Sequence, residues 1–442
     1  MKFFDRTQEI ARLHRIEEQS LENAQFTVVS GRRRIGKTML VREAYKDKQM
    51  LYFFVTRRSE SELCAIFARE IEDVLGVPVL GMTNSFADVF RFVMELAKRQ
   101  HVTLMIDEFQ EFYRINPSVY SSMQEIWDRN KQEAKINLIV CGSVNSLLNK
   151  IFKNKKEPLF GRQTDSIHVR PFAPSVLKDI LSEYKPDYTK EDLLALYTLT
   201  GGVAKYVEMF VDKRCMDVNS MLQLVFEKDS YFIAEGKSML IEEFGRDYGT
   251  YFSILSLIAQ GHNTRAELED ILKTKGGISG YLKKLTDDYE LVTKHQPLFE
   301  KSANKSVRYA IHDRFLHFWF RYIYKYDYVI EAGANKKLMQ IVANDYTTYS
   351  GKVLEEYFLS CMTESEQYTR LGYWQDRNGK NEIDIVGADD LSKRVEFVEV
   401  KRQASDLDMS ILRAKADVFL HSTKNGYGSY EKVYKGLCME DM

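Results

Sequence analysis

Proline is scarce in this chain of 442 residues. There are only seven, and no Pro-rich or Gly/Ser-rich stretch marks a flexible linker, so we expect short or helical joints between domains. The five cysteines include no CxxC pair, which argues against zinc-knuckle and redox spacings and favours reduced thiols in a cytoplasmic protein. A run of about 18 apolar residues and an apolar N-terminal segment are both missing, so we predict neither a membrane span nor a signal peptide.

An excess of charge of one sign is also missing. The 63 Lys and Arg residues nearly cancel the 64 Asp and Glu residues, leaving a formal net charge of -1. This balance excludes a global basic signature for nucleic-acid binding, but it does not exclude a local basic face. Hydrophobic residues make up 44% of the chain, enough to build cores, and the length suggests about two to four domains.

Short apolar runs alternate with helical patterns along the first 175 residues. The predicted strands are 26–30, 50–55, 102–106 and 136–140. Strands that alternate with helices predict βαβ units and a parallel sheet, hence an α/β fold. Later regions are predicted to be mostly helical (175–240), three helices with short strands (250–325), and a helix, two strands and a helix (from 345).

A glycine-rich segment follows the first predicted strand. It reads Gly31-Arg-Arg-Arg-Ile-Gly-Lys-Thr38 and fits GxxxxGK[ST], the loop that cradles nucleotide phosphates with backbone N–H groups. Lys37 would reach the β- and γ-phosphates, and Thr38 would bind Mg²⁺. A chance glycine turn is the alternative, but a strand precedes this segment and a helix follows it. The residues predicted to bind ATP or ADP are Gly31, Arg32, Arg33, Arg34, Ile35, Gly36, Lys37, Thr38 and Met39.

Polar residues end the third and fourth predicted strands. Asp107 would hold Mg²⁺ with Thr38, and Glu108 would be the general base that activates the attacking water. A polar strand end that caps the next helix is the alternative for these acids. Ser143 would sense the γ-phosphate or position the water, because ligands sit at the carboxyl ends of strands in doubly wound sheets. Serine is also a common helix N-cap, and that alternative stays open.

Further motifs accompany the loop. They are Phe4-Asp-Arg6 with Glu9, Ile106-Asp-Glu-Phe-Gln110, Cys141-Gly-Ser143, Pro158-Leu-Phe-Gly-Arg162 and Thr200-Gly-Gly-Val-Ala-Lys-Tyr206. With them, residues 1–240 resemble the AAA+-related and STAND-related ATPases often called archaeal-type ATPases, which also occur widely in bacteria. The resemblance implies an α/β core with a helical lid, and a role for Arg162 as arginine finger or sensor, a surface salt bridge being the alternative. Lys205 would face the nucleotide, although Ala204 replaces the family's usual proline.

Residues 250–325 are typical of a winged helix. Thr264 is placed as the N-cap of a second helix, and a third helix runs from Gly277 to Leu285 with Ser279, Lys283 and Lys284 outward. The strand-like runs 291–295 and 306–311 would form the wing. The third helix carries few positive charges, so a structural or protein-binding module is an equal alternative to DNA binding. Aromatic residues at 315–322 are predicted to be core.

A spaced acidic set lies near the end of the chain. Glu399 and Lys401 are two apart on a predicted strand and so share a face, and Asp384 lies on the strand before. Carboxylates that converge there would hold Mg²⁺, and Lys401 would position water or stabilise developing charge. The set resembles the PD-(D/E)xK nuclease fold in the DUF234-type variant of the same ATPase family, with Glu355 as the helix acid and Ile383 in place of the leading proline. A solvated strand face is the alternative.

Together these signals predict a P-loop NTPase core of AAA+ type with a parallel sheet (1–175), a helical lid (176–245), a winged helix (246–335) and an α/β restriction-endonuclease-like domain (336–442). We expect an ATPase that uses Mg²⁺, acts on double-stranded DNA and forms homo-oligomers on ATP binding. One alternative is a STAND-like signalling switch whose C-terminal modules only bind partners. Another is a nucleotide-binding scaffold with neither rapid turnover nor cleavage.

Overall fold

A computed structural model describes the chain except for residues 80, 82, 83, 144, 245–247, 275, 276, 296, 299–306, 377, 378 and 423–425. The chain divides into two compact units. The first comprises Asp5–Arg170, and the second comprises Pro171–Met442 together with Met1–Phe4. Across the described residues, none of the helices combines the length and the apolar character that crossing a membrane requires.

The unit Asp5–Arg170 alternates helices and strands. Its helices are α1 (Thr7–Ser20), α2 (Lys37–Ala44), α3 (Glu60–Leu75), α4 (Phe86–Ala97), α5 (Phe112–Ile115), α6 (Ser118–Asn130) and α7 (Asn145–Lys153). Its strands are β1 (Gln25–Ser30), β2 (Leu51–Phe54), β3 (Val102–Asp107), β4 (Ile136–Cys141) and β5 (Asp165–His168). The strands pair in the order β2-β3-β4-β1-β5, and every pairing is parallel. The predicted parallel sheet is confirmed.

This strand order positions the candidate site. The strand before the glycine-rich loop, β1, and the acid-bearing strand β3 lie on either side of β4. Every residue of β3 and β4 is buried, as expected when helices cover both faces of a parallel sheet. Because all the strands run the same way, the residues after β1, β3 and β4 meet at one edge. Three motifs far apart in sequence are thereby brought together.

Aromatic residues fill much of the core of this unit. Phe53 stacks on Phe67 with ring centroids 4.3 Å apart, and Phe26 meets Trp127 edge to face at 5.2 Å. Each such side chain contributes about 1.5–3 kcal/mol when it is fully buried. The core therefore fixes β1 and β2 on the sheet, and with them the start of the loop that each strand feeds.

The second unit is helical at first. Its helices are α8 (Pro174–Tyr184), α9 (Lys190–Thr200), α10 (Ala204–Asp212), α11 (Val218–Phe226), α12 (Tyr231–Phe244), α13 (Tyr248–Ala259), α14 (Arg265–Leu272), α15 (Ser279–Lys283), α16 (Arg314–Phe318), α17 (Asp327–Glu331), α18 (Asn335–Glu364) and α19 (Met409–Ser422). Between α15 and α16, strands β6 (Val292–His295) and β7 (Arg308–Ile311) form an antiparallel hairpin. The predicted N-cap is confirmed, since the Thr264 hydroxyl accepts a hydrogen bond from the Glu267 N–H at 3.3 Å.

The predicted aromatic core of the second unit is confirmed. Phe315, Phe318, Trp319, Phe320 and Tyr322 are all buried. The predicted third helix is in place, and Ser279, Lys283 and Lys284 are exposed on it or directly after it. The first residue of the predicted wing strand 306–311, Ser306, lies outside the described residues.

A four-stranded sheet closes the second unit. It is built from β8 (Arg370–Gln375), β9 (Glu382–Asp389), β10 (Arg394–Val400) and β11 (Glu431–Leu437), in the order β11-β10-β9-β8. The β8–β9 and β9–β10 pairs are antiparallel, whereas β10 and β11 are parallel. A core that includes Phe397 and Phe419 joins the sheet to α19. The chain thus ends in an α/β region, as predicted.

Candidate functional site: a phosphate loop and a second acidic cluster

The glycine-rich loop adopts a backbone that its sequence permits. Gly31 has a φ of +139°, and a Cβ atom there would lie 2.5 Å from the Val169 carbonyl oxygen on the neighbouring segment. Gly36, the residue before α2, has a φ of +95°. Both positions therefore require glycine. Arg34 also has a positive φ, +67°, so the loop curls tightly before the helix begins.

Lys37 is held inside this loop. Its side chain is buried, and Nζ donates hydrogen bonds to the carbonyl oxygens of Gly31 at 2.9 Å and Arg32 at 2.8 Å. An ammonium fixed in this way lies within the curl where backbone N–H groups would receive phosphate oxygens. The loop therefore places one positive charge at the start of α2.

Asp107 ends β3 with a buried carboxylate that accepts neutral donors. Its Oδ2 accepts hydrogen bonds from the Thr38 hydroxyl at 2.7 Å and the Tyr52 hydroxyl at 3.1 Å, and its Oδ1 accepts one from the Glu108 N–H at 2.9 Å. Burial, followed by the charge of Asp107, raises the pKa of Tyr52, so Tyr52 stays a donor. The Thr38 hydroxyl and the Asp107 carboxylate are hard oxygen ligands of the type that Mg²⁺ prefers.

Glu108 occupies a left-handed backbone position, with a φ of +53°. Such a conformation costs free energy for a non-glycine residue, and it turns the side chain out of the strand. Its Oε2 accepts hydrogen bonds from the Ser143 hydroxyl at 2.7 Å and from the Gln110 side-chain amide. The carboxylate is therefore fixed by two neutral donors that come from the ends of two neighbouring strands.

Arg162 and Arg6 make contacts within the first unit. One Arg162 nitrogen donates to the Phe160 carbonyl oxygen at 2.9 Å, and another lies 3.2 Å from Asp128 on α6. Arg6, from the N-terminal motif, is buried and donates to the Arg170 carbonyl oxygen at 2.6 Å and to Glu9 at 3.3 Å. Arg6 thus ties the start of the unit to its end, whereas Arg162 forms a partly exposed ion pair.

In the second unit, the glycine pair of the Thr200–Tyr206 motif has a packing role. A Cβ on Gly202 would lie 2.2 Å from the Phe172 carbonyl oxygen, and Phe172 N–H donates to the Gly202 oxygen at 2.7 Å. A Cβ on Gly201 would lie 3.1 Å from the Cβ of Arg314. Lys205 pairs with Glu208 one helical turn further on, at 2.8 Å. The motif therefore fixes the join between α9 and α10.

The C-terminal acids lie close together where β9 begins and β10 ends, on the two central strands of the four-stranded sheet. Asp384 on β9 accepts a hydrogen bond from the Val400 N–H at 2.8 Å and lies 3.6 Å from the Lys401 ammonium. Burial raises the pKa of Asp384 above its ordinary value, and the charge of Glu399 adds to the effect. Burial, followed by the charge of Asp384, raises the pKa of Glu355 on α18 to about 8. All four predicted residues are thus electrostatically coupled.

Glu399 differs from the other acids because two ammonium groups bind it. Lys401 Nζ lies 2.9 Å from its Oε1, and Lys415 Nζ on α19 lies 3.1 Å and 3.0 Å from its two oxygens. Burial alone would lower the pKa of Lys401, but its contacts with Glu399 and Asp384 raise it. Within the described residues, no set of three or more His, Cys, Asp or Glu side chains is arranged to hold a metal ion.

Two family models match separate parts of this chain. Residues 3–210 match the model of a family described as an ATPase domain predominantly from Archaea. Residues 319–412 match a second model, described as archaeal and bacterial proteins of unknown function. The ATPase domain carries the phosphate loop, Asp107, Glu108 and Ser143, and the second match carries the C-terminal acids. The predicted family resemblance is confirmed.

A full-length relative and two solved structures are also similar to this chain. An uncharacterized protein of Methanocaldococcus jannaschii is 28% identical over 448 residues, which cover 98% of this chain and 94% of that one. A Walker-type ATPase of Pyrococcus abyssi has a similar fold, with a TM-score of 0.56, 22% identity and coverage of 72% of this chain and 96% of that one. The Orc2 protein of Aeropyrum pernix, solved as ADPNP and ADP complexes, gives a TM-score of 0.52 at 16% identity, covering 75% and 95%.

Three residues of these sites were not predicted from sequence. Tyr52 and Gln110 bind the two acids of the ATPase domain, and Lys415 binds Glu399. Gln110 is part of the motif that follows Asp107, and its complete burial is the signal that its amide has a partner. Lys415 lies just beyond the second matched span, on an otherwise ordinary helix. Its role depends on the packing of α19 against the sheet.

Proposed function

We propose that this chain is an ATPase that binds ATP with Mg²⁺ and couples hydrolysis to work on double-stranded DNA by its C-terminal modules. The observation that carries the first half is the contact between Thr38 and Asp107 beside a buried Lys37. The observation that carries the second half is the convergence of Asp384, Glu399 and Lys401. We propose module boundaries at 1–175, 176–245, 246–335 and 336–442.

The residues of the ATPase domain have separable roles in this proposal. The loop Gly31–Thr38 with Met39 binds the nucleotide, and Lys37 binds its outer phosphates. Thr38 and Asp107 would hold Mg²⁺, which when bound supplies charge neutralisation for the phosphates. Glu108 takes the proton of the attacking water. Because Ser143 and Gln110 both donate to Oε2 of Glu108, we assign Oε1 as the oxygen that accepts this proton.

Arg162 would complete the site of a neighbouring copy. Its ion pair with Asp128 is only partly buried, with 28% of the Arg162 side chain exposed, so exchange for a phosphate partner costs little. A guanidinium stabilises charge that spreads over γ-phosphate oxygens. This role requires homo-oligomers on ATP binding.

The C-terminal modules would act on the duplex. Helices α13, α14 and α15 with the β6–β7 hairpin suit a winged helix, whose Lys283 and Lys284 would contact phosphates. In the four-stranded sheet, the carboxylates of Asp384 and Glu399 are hard oxygen ligands suited to a divalent cation. Glu355 would support them from α18. Lys401 would position the attacking water or stabilise the charge that develops on the scissile phosphate.

One observation favours the alternative of a nucleotide-controlled switch whose C-terminal modules only bind partners. Lys415 contacts both oxygens of Glu399, so this carboxylate is already neutralised. A cation would have to displace that ammonium before Glu399 could act as a ligand. In this alternative, nucleotide binding changes oligomerisation or the exposure of the C-terminal module.

Incubation of linear duplex DNA with Mg²⁺ or Mn²⁺, with and without ATP, tests the proposal. We expect wild-type protein to cleave the DNA and the Glu399→Ala variant to bind it without cleavage. Glu382→Ala, an exposed acid on the same strand as Asp384, is the matched control. Absence of wild-type cleavage with both metals refutes the nuclease role. ATP-driven assembly, measured by light scattering, without salt-dependent duplex binding would support the switch instead.

A further inference from the structure

The ATPase domain carries an open, basic pocket of about 540 Å³. Its lining includes Arg57, Arg58, Ser59, Glu60, Glu111 and Arg114. Arg57 and Arg58 follow β2, and Glu111 and Arg114 follow β3, so the pocket lies at the carboxyl edge of the sheet. Neither the predicted roles of the phosphate loop nor those of the C-terminal modules involve these residues.

Two of the three guanidinium groups are oriented by one buried acid. Glu111 is only 7% exposed, and its Oε2 lies 3.3 Å from Arg57 while its Oε1 lies 3.7 Å from Arg114. The side chains of Arg57 and Arg114 remain 67% and 44% exposed. Each guanidinium has five donors, so the contact with Glu111 leaves most of them for a ligand.

The remaining charges make the pocket positive. Both oxygens of Glu60 are engaged, since Oε1 accepts from the Phe86 N–H at 2.7 Å and Oε2 from the Asn116 amide at 2.6 Å. Arg58 is exposed, and its guanidinium interacts electrostatically with the Glu62 carboxylate on α3. Three arginines and two carboxylates line the pocket, so its formal charges sum to +1. A ligand with several negative charges would match this surface.

An exposed aromatic ring lies beside the arginines in sequence. Phe54 ends β2 three residues before Arg57, and it is 46% exposed. Its ring is parallel to that of Tyr52, with centroids 6.3 Å apart. Tyr52 in turn donates to Asp107 at 3.1 Å. The edge thus combines arginines with a stacking face, and that face is two contacts from the predicted metal-binding acid.

We infer that this edge, formed by Phe54, Arg57, Arg58 and Arg114, binds the phosphodiester backbone of a nucleic acid. Arginines contact phosphates in bidentate fashion, and an exposed ring stacks on a base, a combination typical of nucleic-acid surfaces. An acidic peptide offers charge without bases and would leave Phe54 unused. The inference rests on the proposed function for the kind of partner, but it assigns contact to the ATPase domain itself.

Binding of fluorescent oligonucleotides by full-length protein tests this inference, with single-stranded and duplex 20-mers measured at several salt concentrations. The Arg57→Gln/Arg58→Gln/Arg114→Gln variant keeps a hydrogen-bonding group beside Glu111. We expect it to lower affinity at least tenfold and to reduce the salt slope of log K by about 2–3 for a duplex, or about 2 for a single strand. Arg129→Gln, on an exposed ion pair of α6, is the matched control and should leave both unchanged.

The Arg58→Glu variant and polyglutamate, as a second ligand, distinguish the possible reasons for a change in binding. Arg58→Glu reverses the charge of an arginine that does not contact Glu111, and it should lower affinity at least threefold even if the triple variant is unstable. ATP hydrolysis without DNA should match wild type in both variants. Binding that survives both variants and is lost in Lys283→Ala/Lys284→Ala overturns the inference while the proposed DNA function stands. Tight binding of polyglutamate with no binding of either oligonucleotide overturns both. Loss of binding in the arginine variants without any DNA cleavage by wild type supports the inference and refutes only the nuclease role.

Discussion

The chain contains two acidic sites, and their carboxylates differ in whether the groups that bind them are neutral or charged. In the ATPase domain, Asp107 and Glu108 accept hydrogen bonds from hydroxyl, amide and backbone N–H groups, all of them neutral. In the C-terminal sheet, Glu399 is bound by two ammonium groups. Neutral donors orient a carboxylate and leave its charge in place, whereas ammonium groups cancel that charge.

Because of this difference, we expect the two sites to differ in their affinity for a divalent cation. Asp107 accepts hydrogen bonds from the Thr38 and Tyr52 hydroxyls, so a cation would not have to displace an ammonium group from it. Glu399 must first lose a partner, and breaking a partly buried ion pair costs free energy. The sequence motifs do not distinguish the two sites, since each motif consists of acidic residues at the ends of predicted strands. The contacts from other elements separate them.

The largest effect should come from Glu108→Gln. The substitution keeps the shape of the side chain but removes the base, so we expect hydrolysis to fall by about 10²–10⁴-fold while ATP affinity stays within a few-fold of wild type. Steady-state phosphate release and equilibrium nucleotide binding measure the two quantities. Glu125→Gln, an exposed acid on α6, is the control. Normal turnover in Glu108→Gln would assign the base elsewhere.

The Lys37→Ala substitution should mainly affect binding. The ammonium lies inside the phosphate loop, and the loss of one or two charge-assisted hydrogen bonds of about 1.5–3 kcal/mol each should weaken ATP binding on the order of 100-fold. Titration with a fluorescent ATP analogue measures this. Lys46→Ala, whose ammonium pairs with Glu43 at the surface, should bind as wild type. Unchanged affinity in Lys37→Ala would contradict the assignment of the loop.

Much of the fold was predictable because buried strands are continuous apolar runs. The runs that became β1, β3 and β4 were predicted within one residue at each end. Strands β5, β8 and β11 were not predicted. Each is an outer strand of its sheet, and their polar sequences, such as Asp165–His168, resemble loops. Their pairing depends on a neighbouring strand, which a local pattern does not show.

The sites divide in the same way. Lys37 could be singled out because the phosphate loop has a fixed spacing, and Asp107 because it ends a continuous apolar strand. Tyr52 was not, because it reaches Asp107 through the parallel register of β2 with β3, in which Phe54 lies beside Asp107. Lys415 was not, because its contact depends on how α19 packs on the sheet. Spacing in sequence predicts what one segment does, whereas partners from another segment require the tertiary fold.

The raised pKa of Glu355 gives the C-terminal site a testable effect on the pH dependence of the free energy of unfolding. In the folded chain this pKa is about 8, above the ordinary value of about 4.3 in an unfolded chain. Between these pH values the folded state keeps a proton that the unfolded state loses, so the free energy of unfolding should fall as pH rises. Glu355→Gln should remove this loss, making the variant more stable than wild type by a few kcal/mol at pH 8 but not at pH 4.

Urea denaturation from pH 4 to pH 8.5 measures this effect. Glu331→Gln, an exposed acid on α17, should keep the wild-type pH dependence. Parallel curves for wild type and Glu355→Gln would mean that Glu355 is ionised in the folded protein. In that case the C-terminal site would carry one more negative charge than it does with a protonated Glu355.

The smallest effect tests the comparison most directly, by making the second site resemble the first. Lys415→Met removes the ammonium that contacts both oxygens of Glu399 while keeping a side chain of similar length. We expect Mn²⁺ affinity, measured by electron paramagnetic resonance without nucleotide, to rise on the order of tenfold, because one opposing charge is lost close to the carboxylate. Lys432→Met, whose ammonium donates to the carbonyl oxygens of Gly428 and Tyr430, should not change it. If the increase in Mn²⁺ affinity disappears when Glu399→Ala is added to Lys415→Met, then the Lys415 ammonium occupies the place where the cation binds Glu399. Equal affinity in all variants would mean that Glu399 is a structural ion-pair partner and that the C-terminal modules only bind.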